Sequence, residues 1–159
     1  MIFKYHFKRP NPTPLLSSGL FDEDSFYPAF LNDLSKCKFE VVIESPFITR
    51  KRMNALYPSF RRLTKRGVRV VINTRDPKEH DWRMAEEAAT AISLLQHLGI
   101  KVLYTENHHR KLAIIDRQLL YEGSLNILSQ YASCEIMRKI ESQELAISML
   151  GFLNIQRHF

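Results

Sequence analysis

The sequence predicts an α/β fold: a mixed, largely parallel β-sheet flanked by helices on both faces. Three β-branched runs carry this expectation, at residues 39–44 (FEVVIE), 68–72 (VRVVI) and 100–104 (IKVLY). Such runs suit buried strands. The segments between them hold apolar residues at helical spacing. Strands that alternate with helices imply a parallel sheet covered on both faces.

Each element has a local reason. Residues 1–20 mix aromatic side chains with Pro10, Pro12, Pro14 and Gly19, which predicts an arm with a short strand at 2–7. Residues 21–159 then form a single domain. Along 22–36, Phe26, Phe30, Leu31 and Leu34 share a helical face after the acids Asp22, Glu23 and Asp24. Acids near a helix N-terminus favour its dipole, and Pro28 is tolerated in a first turn. Thr49 ends the next loop and is a good helix cap. The helix after it presents Met53, Leu56, Phe60 and Leu63, stops at Gly67, and is expected to kink or split at Pro58. Asp81 can cap a helix over 82–98 that ends at Gly99. Beyond the third run the pattern changes. Segments 111–116 and 118–122 nearly touch, as in a hairpin; 135–140 is a further strand and 142–155 a closing helix.

Composition narrows the function. The 159 residues fit one domain, and a hydrophobic fraction of 45% supports a core. Lys and Arg total 23 against 17 Asp and Glu, so the net charge is +6. That excess points to a polyanionic partner, either nucleic acid or an anionic surface. No stretch reaches the roughly 18 apolar residues of a membrane span, and no secretory pattern opens the chain. The expectation is a cytoplasmic protein with no membrane partner. Cys37 and Cys134 lie far apart and read as free thiols. His108 and His109 lack Cys or His partners at ligand spacing, so neither a metal nor another cofactor is expected.

The chemistry concentrates between His109 and Asn126. On an extended segment His109 and Lys111 point the same way. An ammonium there suits phosphate oxygens, and an imidazole serves as nucleophile or proton donor. Gly123 and Ser124 open a turn in which backbone N–H groups, the Ser124 hydroxyl and the Asn126 amide are phosphate donors. Asp116 ends an apolar run, where it orients a neighbour or closes the turn. His108 faces the opposite way and reads as structural or solvent-facing.

These residues, HxK, four residues, Asp, six residues, then GSxN, resemble the HKD motif of the phospholipase D superfamily, with every motif position present. The resemblance extends over about residues 36–155. It implies a phospholipase D-like domain whose histidine attacks phosphorus and forms a covalent phosphohistidine without a metal. A second motif's histidine then protonates the leaving oxygen and activates water. This chain holds one HKD motif, and small members of the family supply the second by dimerising. A homodimer is therefore implied, with His109 and Lys111 of two copies facing each other. Small members also place a glutamate beyond GSxN; Glu135 is the candidate, with Glu141 behind it. The catalytic set is His109, Lys111, Asn126, Ser124, Asp116 and Glu135.

Basic residues crowd the stretch from Arg50 to Arg69, which has no acids. Arg50, Lys51 and Arg52 follow the first strand and Arg75 follows the second, where parallel α/β sheets bind ligands. They are the expected substrate-binding residues. Tyr104 and Trp82 read as core packing, with base stacking as the alternative. The leading functional reading is a DNA nuclease. The alternatives are a hydrolase of phospholipid or another phosphodiester, and a DNA-binding or accessory nuclease domain of a helicase or restriction system.

Overall fold

The computed structural model describes residues 17–155. Their strands are β1 (Ser17–Asp22), β2 (Glu40–Glu44), β3 (Arg69–Thr74), β4 (Lys101–Tyr104), β5 (Leu112–Ile115), β6 (Leu119–Gly123) and β7 (Ile136–Glu141). The helices are α1 (Phe26–Lys36), α2 (Arg50–Lys65), α3 (Trp82–His97) and α4 (Gln143–Leu153). The seven strands form one sheet in the order β1-β7-β6-β5-β2-β3-β4.

The sheet is mixed and carries helices on both faces, as expected, but its parallel part is confined to β2-β3-β4. The other four pairings are antiparallel. A parallel pair needs a long crossover, and α2 and α3 supply the two that exist. The β5–β6 link is the three residues Asp116, Arg117 and Gln118, the first two at positive φ (52° and 55°), the geometry of a tight antiparallel hairpin.

Every residue of β2 is buried, because both faces of this central strand are covered. Val41 and Ile43 join Val70, Ile72, Ala113 and Ile115 in the larger core beneath α1, α2 and α3. Val42, Val71 and Ile114 face the other way and pack on Ala146, Leu150 and Leu153 of α4. The alternation along each strand thus sorts one run of apolar residues into two layers.

Local expectations hold at the helix ends. The Thr49 side chain accepts from Arg52 N at 3.3 Å, and Asp81 Oδ1 accepts from the N–H groups of Arg83 and Met84, each at 3.1 Å. Two expectations are corrected. Helix α2 runs unbroken through Pro58. Both Pro58 and Asn54 one turn earlier are exposed, so the carbonyl that Pro58 cannot bond faces water. The sequence reading ends the arm at residue 20, whereas Ser17–Asp22 forms an edge strand in register with β7. The strand expected at 2–7 lies outside the described residues.

The register places the functional end. Glu44 of β2 pairs with Asn73 of β3 and with Leu112 of β5. Leu112 pairs with Glu122 of β6, and Gly123 with Met137 of β7. The C-terminal ends of β2, β3, β4 and β6 therefore meet the starts of β5 and β7. Ligands bind α/β sheets outside the C-terminal ends of their parallel strands.

Candidate active site

Residues 108–111 enter β5 at that end. Nζ of Lys111 lies 2.8 Å from Nδ1 of His109 and donates to the His109 carbonyl oxygen at 2.8 Å. An ammonium only donates, so Nδ1 accepts and the neutral ring carries its proton on Nε2. Burial holds the Lys111 amine below the ordinary lysine range; Glu135 pulls it back up and Arg75 pushes it further down.

A cavity of about 930 Å³ opens around this pair. His109, Lys111, Ser124, Asn126 and Glu135 all line it, so the structure brings together all but one of the expected catalytic residues. Gly123 lets β7 approach: a Cβ there would meet the Ile136 carbonyl oxygen and lie 2.9 Å from Met137 Cα. Ser124 then ties the strands, donating from N to Ile136 O at 2.9 Å and accepting at Oγ from Ile136 N at 3.1 Å. The Asn126 amide oxygen is buried with no protein partner among the described residues. Glu135 takes a 2.8 Å bond from Ser133 Oγ, and its charge acts on Lys111. Glu141 lies at the other end of β7, 3.3 Å from Lys139 Nζ.

Asp116 is the residue left out. It follows β5 at its far end, roughly 16 Å of strand from Lys111. Its carboxylate accepts from the N–H groups of Lys38 (2.8 Å), Phe39 (2.8 Å) and Glu40 (3.0 Å). Asp116 thus anchors the entry to β2, the neighbour-orienting role read from sequence.

None of the four expected substrate-binding cations lines the cavity. Arg50 N donates to Glu87 at 2.8 Å. Lys51 sits 3.6 Å above the Tyr131 ring. Arg52 stacks 3.6 Å over Tyr27 and donates to Gln130 O at 2.7 and 3.2 Å. Arg75 grips the His108 carbonyl at 2.8 and 3.3 Å. Arg52 and Arg75 therefore brace loops beside the site. Trp82 and Tyr104 are 71% and 48% exposed, so the core-packing reading is corrected. Each begins or ends an element at the sheet's functional end, where no layer covers it.

Sequence reasoning missed what lies under the pair. Glu44 is fully buried, and its Oε2 lies 2.9 Å from His108 Nε2 and 2.8 Å from Arg110 Nε. Its Oε1 accepts from Asn73 Nδ2 at 3.0 Å. Burial alone would raise this carboxyl, but the bonds from His108, Asn73 and Arg110 outweigh it and hold it below the usual range. The available signal was an acid closing an otherwise apolar strand. Also missed were Arg110, Glu122 and Arg138 on the cavity wall and its apolar rim of Leu20, Ile136 and Phe152. That rim is exposed at 61%, 58% and 76%.

Among the described residues no three His, Cys, Asp or Glu side chains gather as a metal cluster, and no helix is long and apolar enough to cross a membrane. A family model described as "Cardiolipin synthase, PLD-like domain" matches residues 30–151. Nuc from Salmonella typhimurium, a phospholipase D family member, superposes with a TM-score of 0.69 at 22% identity, over 86% of this chain and 90% of that one. NucT from Helicobacter pylori gives 0.68 at 17%, over 87% and 93%. Phosphatidylserine synthase from Haemophilus influenzae Rd KW20 gives 0.65 at 16%, over 89% and 39%. At these identities the superpositions establish the fold. No curated protein matches the chain in sequence.

Proposed function

Because the chain belongs to the phospholipase D-like domain family, we propose that it is a nuclease, hydrolysing phosphodiester bonds in DNA through a covalent intermediate on His109. The observation that carries this reading is the convergence of His109, Lys111, Ser124 and Asn126 on one cavity, with the Lys111 ammonium against the ring.

A phosphate entering the cavity draws the ammonium away from Nδ1. That nitrogen can then hold the ring proton while Nε2 attacks phosphorus. Lys111, the Ser124 turn and the Asn126 amide stabilise the charge on the non-bridging oxygens, a task that needs donors rather than a metal. The leaving oxygen requires a proton from a second imidazole. His108 is buried and bonded elsewhere, so a second copy's His109 supplies it in this reading. The exposed Leu20, Ile136 and Phe152 around the cavity are the surface that a second copy would cover.

Nucleic acid is favoured over other phosphodiesters by the +6 charge and by exposed aromatics paired with cations, Tyr131 with Lys51 and Trp82 with Arg83. The apolar rim supports a second reading, a phospholipid headgroup cleaved with its chains along Ile136 and Phe152. Single- and double-stranded DNA and phosphatidyl vesicles, assayed side by side with EDTA present, decide between them. The proposal expects DNA cleavage that survives EDTA and vanishes in His109→Ala. Cleavage of the vesicles alone would replace it with the second reading.

A further inference from the structure

Glu44 and His108 are two ionisable side chains with no exposed surface, placed directly beneath an exposed pair. Burying charge is costly, and apolar residues of similar volume usually serve a core as well or better. Their bonds show what they fix. His108 Nδ1 accepts from Arg110 N at 3.1 Å, closing a tight ring over the peptide between His109 and Lys111. On its other side, His108 Nε2 lies 2.9 Å from Glu44 Oε2, in ion-pair contact but without the alignment of a hydrogen bond. Glu44 is held in turn by Asn73, its neighbour in the β2–β3 register. Asn73 Nδ2 also donates to Thr105 Oγ1 at 3.0 Å, at the start of the same loop. Arg75 fixes the His108 carbonyl from a third side.

We infer that Glu44 and His108 are positioning residues: the sheet-borne Glu44 holds the His108 ring, and that ring sets the Arg110 peptide and so the spacing of His109 and Lys111. The inference rests on the proposed function in taking those two as the reacting pair. A structural histidine would need only to fill space. A positioning one needs its Nδ1 acceptor.

Two near-isosteric variants separate these roles. In His108→Asn the amide oxygen stands where Nδ1 stands and can still accept from Arg110 N. In His108→Gln the amide nitrogen reaches toward Glu44, but no acceptor remains for Arg110 N. The expected result is a kcat within about threefold of wild type for His108→Asn. For His108→Gln it is a loss of about 30-fold at nearly unchanged KM, the scale of a misplaced reacting group. Glu44→Gln should lose about tenfold, because Arg110 Nε also loses its charged partner there. Equal kcat in the Asn and Gln variants, or losses that follow their melting temperatures, would overturn the inference. The ¹⁵N shifts of the His109 ring in the full chain read the same arrangement without turnover. They should match between wild type and His108→Asn and differ in His108→Gln; identical spectra in all three would also overturn it. A wild-type chain that cleaves no phosphodiester would remove the proposed function, while the spectra still decide the positioning.

Discussion

Lys111 Nζ and His109 Nδ1 lie 2.8 Å apart, on a segment whose backbone is fixed from below. Removing either partner should act on chemistry more than on folding, because His109 is exposed and Lys111 only partly buried. His109→Ala is expected to reduce turnover by about 1000-fold or more, and Lys111→Met by about 100- to 1000-fold. Thermal melts should shift little in either case. A large drop in Tm with proportionate loss of activity would assign the pair to structure.

The lowered Lys111 pKa gives a pH prediction. Burial and the Arg75 charge favour the neutral amine, and Glu135 opposes them. The ammonium is the form that binds phosphate, so activity should fall on the alkaline side below the ordinary lysine range. Removing the positive charge in Arg75→Gln should move that limb to higher pH. Removing the negative charge in Glu135→Gln should move it lower. Initial rates across pH 6–11 (roughly the span around the reference lysine value) measure both directions, and shifts of the opposite signs would refute the assignment.

Asp116 predicts the converse, a stability effect with little catalytic effect. Three backbone donors hold its carboxyl below the usual range despite burial. A group with a depressed folded pKa stabilises above its unfolded value of about 3.9, and that contribution is lost as pH falls through the folded value. Asp116→Ala should cost about 2–3 kcal/mol at neutral pH. Its deficit relative to wild type should shrink under acid. Turnover at a temperature where both are folded should agree within about threefold. Urea titrations at several pH values give the first result and steady-state rates the second.

Gly123 is predicted to tolerate no side chain. The Cβ of Gly123→Ala would press on backbone atoms of Ile136 and Met137, so β7 must shift away from β6. A loss of about 1–3 kcal/mol is expected. Activity should fall even in folded protein, because Ser124 and Glu135 hang from the same two strands. Hydrogen exchange of the Ile136 amide, which bonds Ser124 Oγ, would report the displacement.

The exposed rim carries the prediction about assembly. Ile136→Lys and Phe152→Glu should each give a monomer by sedimentation and lose turnover together with the dimer. A fully active monomer would show that one chain completes the site alone.

How much of this was legible in the sequence follows from what each feature depends on. The central strands, the Thr49 and Asp81 caps and the glycine helix ends depend on a few adjacent residues, and they appear where the pattern puts them. So do His109, Lys111, Ser124 and Asn126, because they flank one short β-hairpin, the first two just before β5 and the last two just after β6. Strand direction was less legible. The short gap after β5 marks the β5–β6 hairpin, but nothing local shows that β2–β5 and β6–β7 also pair antiparallel. Arg52 and Arg75 read as free cations, since nothing local foretells that the carbonyls of Gln130 and His108 would claim them. Glu44 was hidden for the same reason. Its partners come from two other segments, β3 and residues 108–110, and an acid at a strand end reads as a boundary until they are seen together.

The central claim is that His109 is the nucleophile. Its most direct test is mass spectrometry of enzyme quenched during turnover of a short DNA substrate, under conditions that preserve phosphohistidine. The account predicts a nucleotide adduct on the peptide that contains His109, formed with EDTA present and absent in His109→Ala. Sustained cleavage with no adduct, or cleavage by His109→Ala at the wild-type rate, would contradict it.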